Sequence, residues 1–73
     1  MRIVALAYED TNEFVTLEIV SACYDDDYEG IKFVDTDDNN WYISNLSIET
    51  CNQICYELAR RGFCDVTSYG EIQ

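Results

Sequence analysis

Hydrophobic and polar positions alternate along the first two thirds of the chain and then change period. Residues 2–8 are apolar on both faces after Arg2, the pattern of a central or covered strand. Residues 14–22 place Val15, Leu17 and Ile19 on one side and Thr16 and Glu18 on the other. That period of two predicts a strand with one buried face. The polar stretch 9–13 between them is short enough for an antiparallel hairpin. A third strand is expected at 31–35, with Ile31 and Phe33 opposed to Lys32 and Val34, and a fourth at 41–44. Between these runs lie a charged loop, 24–30, ending in a flexible glycine, and a turn, 36–40, built of residues that tolerate tight geometry.

From Asn45 to Phe63 the period becomes helical. Ser47 is placed to cap the first turn, Leu46 and Cys51 occupy staple positions, and Glu49 lies near the positive end of the dipole. Ile48, Cys51, Ile54, Cys55, Leu58 and Ala59 form the apolar stripe. Arg60 and Arg61 fall in the last turn, Gly62 suits a left-handed stop, and Phe63 is expected to close back on Leu58. A short strand at 63–67, whose pairing, beside the first strand or elsewhere, the sequence does not fix, and a frayed tail at 68–73 complete the chain. The order β-β-β-β-α-β predicts one α+β domain over residues 1–73. Its sheet has four or five mostly antiparallel strands, with one helix packed on one face.

Composition changes this picture in one respect. A hydrophobic fraction of 48% supports a folded domain. No apolar run is long enough to span a bilayer, and 2–8 is too short for a signal-peptide core, so a cytoplasmic protein is expected. Charge is the outlier: fifteen Asp and Glu face four Lys and Arg, a net of −11. Such a surface repels nucleic acid and anionic membrane, and it favours a basic protein surface as partner.

The four cysteines admit a disulfide, a zinc site or plain packing. Without a C-x-x-C knuckle or an export signal, small core residues are the simplest reading, and no metal or cofactor is expected. Histidine is absent, no glycine elbow marks a nucleophile, and no phosphate-cradling loop is present. The chain therefore reads as non-enzymatic. Asp35, Asp37 and Asn39 have the spacing that opens a calcium loop. Asn40 stands where its glycine belongs and Leu46 where its bidentate glutamate belongs, so a hairpin turn is the better reading. Asn45-Leu46-Ser47 matches a glycosylation sequon but serves more simply as the helix entry.

The most suggestive stretch holds Asp25, Asp26, Asp27 and Glu29 between Tyr24 and Tyr28. Carboxylates accept arginine forks and tyrosines supply contact area at low entropic cost. Same-face carboxylates of an extended segment lie about 6.7 Å apart, within range of phosphate spacing along a nucleic-acid strand. Asp35, Asp37 and Asp38 are expected to add to the same charged site, with Tyr24 and Tyr28 at its centre. The bland alternative is a solvated loop whose charge discourages edge pairing.

At Val34-Asp35-Thr36-Asp37-Asp38-Asn39-Asn40-Trp41-Tyr42-Ile43-Ser44, followed by the helix and Gly62-Phe63, the chain resembles the small acidic anti-CRISPR proteins of bacteriophages. The type II-A inhibitors that occupy the DNA-reading cleft of a CRISPR nuclease are nearest in style. The likeness covers less than half of the chain. It implies a phage-encoded inhibitor that acts in the host cytoplasm, competing with DNA for the arginines and lysines of a CRISPR-Cas effector or another host nuclease. The rival expectation is a structural or assembly module: a homo-oligomer such as a homodimer, or an accessory subunit that pairs through the edge of its sheet.

Overall fold

The computed structural model describes residues 2–8, 10–11, 13–70 and 72. Five strands, β1 (Arg2–Ala7), β2 (Phe14–Asp25), β3 (Gly30–Asp35), β4 (Asn40–Ile43) and β5 (Phe63–Asp65), form one sheet in the order β4-β3-β2-β1-β5. All neighbours are antiparallel except β1 and β5, which run parallel with Ile3 opposite Phe63. The helix α1 (Ile48–Arg61) packs on one face, so the fold is α+β with a mixed, mostly antiparallel sheet.

The long second strand sets the shape. Its first half pairs with β1, from Phe14 against Ala7 to Ile19 against Arg2, and its second half pairs with β3, from Ser21 against Val34 to Asp25 against Gly30. At the junction two steps on β2, from Ile19 to Ser21, match one step on β3. Val20 is thus the extra residue of a β-bulge. The bulge inverts the alternation: Val15, Leu17 and Ile19 lie towards the core before it, Ala22 and Tyr24 after it. The predicted strand at 14–22 is therefore too short by three residues: Cys23 continues β2, and Tyr24 and Asp25 belong to it instead of to the loop.

The core holds Val4 and Leu6 of β1, Ile19, Ile31 and Phe33, Ile43, and the helical Cys51, Ile54 and Leu58. The capping prediction holds: the Ser47 Oγ accepts from the Thr50 N–H at 3.1 Å. At the other end Gly62 has φ 73°, and its N–H donates to Leu58 at 2.9 Å. The stripe is narrower than predicted, because Ile48 and Ala59 are exposed. Phe63, next after the Gly62 stop, enters β5 and is exposed.

Three further expectations are corrected. The predicted strand at 63–67 stops at Asp65, and Val66–Ser68 form a 3-10 turn with Val66 fully buried. The tail does not fray over its described residues, since the Ile72 N–H donates to Ala7 at 2.8 Å. Glu71 and Gln73 lie outside the described residues, as do Glu9 and Asn12 of the first turn. Gly30 is no flexible joint either. It is buried, and a Cβ there would stand 1.8 Å from the Ile43 carbonyl oxygen.

A candidate acidic edge

Two turns carry the predicted acids, and both are built by an aspartate at a strand end. Asp25 Oδ1 accepts from the Asp27 N–H at 2.9 Å and the Tyr28 N–H at 3.3 Å. Asp35 Oδ1 accepts from the Asp37 and Asn39 N–H groups, both at 2.9 Å. Its Oδ2 accepts from the Trp41 indole N–H at 2.9 Å and the Asn39 amide at 3.3 Å. Aspartate suits such positions because its short side chain reaches the backbone two residues on. Asn and Asp also tolerate left-handed backbone, as Asp38 does at φ 67°; Glu29 adopts it too, at φ 51°.

These bonds divide the predicted site residues. Asp35 is buried, and the indole N–H of Trp41, with the backbone N–H groups of the turn, holds its carboxyl below the usual carboxylate range. Its charge is spent inside the molecule, so it is withdrawn from the partner-facing set. Asp25 is half-buried and organises its own turn. Asp26, Asp27 and Glu29 are exposed together at one end of β3, and Asp37 and Asp38 at the other. Five steps of strand, about 17 Å, separate the two groups, so they do not form the single cluster expected.

The tyrosines part as well. Tyr24 pairs with Ile31 on the helix side of the sheet. There desolvation, and then the charges of Asp26 and Glu29, push its phenol upward. Tyr28 turns to the other side and stacks on Tyr42, with ring centroids 4.0 Å apart and planes at 20°. They are not a common centre of contact.

What lies between the acidic groups is the edge strand β4. A groove of about 280 Å³ runs along it, lined by Tyr28, Asn40, Trp41, Tyr42, Ser44 and Ile72. Trp41 and Tyr42 are not among the site residues that the sequence predicts. Two adjacent aromatics in a short strand put one ring on each face, and that was their only signal. The Leu46 N–H donates to the Glu29 carbonyl at 3.0 Å, which ties the helix entry to the first turn. Glu49, exposed in the first helical turn, adds charge at that end. Arg60 and Arg61 sit in the last turn of the helix, about 20 Å away by the rise of 1.5 Å per residue.

A second polar cluster was not foreseen. The Cys64 thiol donates to Glu57 Oε2 at 2.8 Å, and the Tyr69 hydroxyl to Glu57 Oε1 at 3.3 Å, beside a cavity of about 150 Å³. A carboxylate touching a thiol has the outline of a base and a nucleophile. Here burial, and then the neighbouring Glu57, push the thiol up to about 12, so it stays protonated and inert. All four cysteines are free thiols. Among the described residues no three His, Cys, Asp or Glu side chains are grouped to hold a metal, and no helix is long and apolar enough to cross a membrane.

Comparison with protein-family models, with curated proteins and with solved structures gave no match.

Proposed function

We propose that this protein is a non-enzymatic acidic binder that occupies the basic, nucleic-acid-binding surface of another protein and so inhibits it. The class of partner implied by the resemblance, a host defence nuclease such as a CRISPR-Cas effector, is the specific form of this reading. One observation carries it: two exposed acidic turns are held about 17 Å apart by the six residues of β3, with an aromatic groove between them. At 3.4 Å per step, that separation matches about five base-pair steps of a duplex. The turns are fixed by the Asp25 and Asp35 bonds, so little order has to be gained on binding. Tyr28 and Tyr42 supply rigid contact area beside the first group.

The test is competition. Proteins retained by the immobilised chain from a bacterial lysate at low salt are eluted along a salt gradient and retested with excess duplex DNA. The expected partner elutes early and is displaced by DNA. Reversing Asp26, Asp27 and Glu29 to lysine removes it while the circular dichroism spectrum stays unchanged. Capture that ignores both DNA and the reversal overturns the reading.

A second reading has its own support. The sheet face opposite the helix exposes Phe14 by 74% and Phe63 by 45%, so an assembly module would have an apolar surface to pair. Sedimentation separates the two: a stable oligomer with no affinity for basic proteins favours assembly.

A further inference from the structure

Sheet edges are normally protected by charge, proline or a covering segment, because their free N–H and C=O groups invite another strand. The outer strand β4 carries neither a charged residue nor a proline in Asn40–Ile43. The Asp35 N–H donates to Asn39 at 3.0 Å, and alternation of the antiparallel ladder from that bond turns the backbone of Asn40 and Tyr42 away from β3. The opposite edge is less suited, since β5 has three residues and includes Asp65.

Charge selects the occupant. If β4 paired antiparallel with β4 of a second copy, the Asp37 and Asp38 turn of each would lie against the Asp26, Asp27 and Glu29 turn of the other. Like charge would then meet like charge at both ends. An extended segment with a cation at each end meets the opposite condition.

We propose that β4 accepts an extended segment of a basic protein as an added strand. Lysine or arginine would flank the four residues that pair with Asn40–Ile43. The two cations stand about five positions apart, because roughly 3.3 Å per residue must span about 17 Å. Backbone pairing supplies affinity. Side chains of the added strand alternate between the two faces, one set beside Trp41 and the other beside Tyr42, and the end cations reach the two acidic turns. This deepens the acidic-binder reading and rests on it.

Capped peptides test it, with Trp41, the only tryptophan, as fluorescent reporter. The parent is Arg-Val-Thr-Val-Thr-Arg. One isomer carries both arginines at the same end. Two further peptides are N-methylated on one or the other alternate set of amides. The parent is expected to bind and to slow amide exchange at Asn40 and Tyr42. One methylated set, which can no longer donate to the Asn40 and Tyr42 carbonyls, binds at least about tenfold more weakly, and the other set binds like the parent. The isomer also weakens. If both methylated sets match the parent, attraction is by charge alone: the added strand fails and the acidic binder stands. If no peptide binds while DNA-displaceable capture persists, the added strand again fails alone. If neither occurs, both readings fall.

Discussion

Asp35 shows how a residue's chemistry can be read correctly and its role misassigned. Its spacing to Asp37 and Asn39 marks a turn, yet spacing alone leaves the same carboxylate as free charge. What sequence does not display is that Trp41, across the β3–β4 pair, aims its indole N–H back at Oδ2. With four donors on one buried carboxylate, Asp35→Ala and Asp35→Asn should lower the denaturation midpoint, whereas Asp37→Ala and Asp38→Ala should scarcely move it. The pH dependence follows from the lowered pKa. The folded protein binds the Asp35 proton less readily than the unfolded chain, whose carboxyl titrates near ~3.9. Its stabilisation is therefore complete above that value and is lost as pH falls through the lower, folded value. Asp35→Asn should flatten this acid limb in urea titrations followed by Trp41 fluorescence. An unchanged limb would show that the bonds to Asp35 carry no net stability.

At the scale of elements, the helix was the most legible part, because its cap, stripe and stop are local. Ser47 and Gly62 do what their residue types predict. β2 was the least legible. A bulge at Val20 shifts the pleat by one residue, so a window of strict alternation ends at Ala22 although the strand continues to Asp25. The strand predicted at 31–35 already separates the two acidic turns, and counting all seven acids as one site overlooks its length; reading 24–30 as one loop hides only the Asp25–Gly30 pair that closes the hairpin. Gly30 and Gly62 separate two reasons for a glycine. At Gly62 the backbone is left-handed, and alanine there should cost about 1 kcal/mol. At Gly30 φ is not positive; space is the constraint, with Ile43 and Ser44 backbone atoms inside 3 Å of where an added methyl would sit. Gly30→Ala should therefore cost more, about 3 kcal/mol, as overpacking against backbone that cannot yield. Urea denaturation of the two variants checks the ranking, and equal losses would mean that β4 moves aside freely.

For the whole molecule, charge opposes the fold that carries it. A chain of 73 residues with a net of −11 buries a modest core, and its carboxylates repel one another across that small body. Asp26 and Asp27 are exposed beside Glu29, with Glu49 at the same end and two of the four cations at the far end of the helix. Turn geometry needs Asp25, whose Oδ1 makes the bonds, and does not need these neighbours. Reversing Asp26 and Asp27 to lysine should thus raise the melting temperature by a few degrees at low salt, with the gain shrinking as added salt screens the repulsion. The same double variant should lose the DNA-displaceable partner. Stability gained while binding is lost would mean that the anionic end is kept for recognition at a cost to folding. A fall in melting temperature would instead assign Asp26 and Asp27 to the structure of the turn and leave the charge without a partner to explain it.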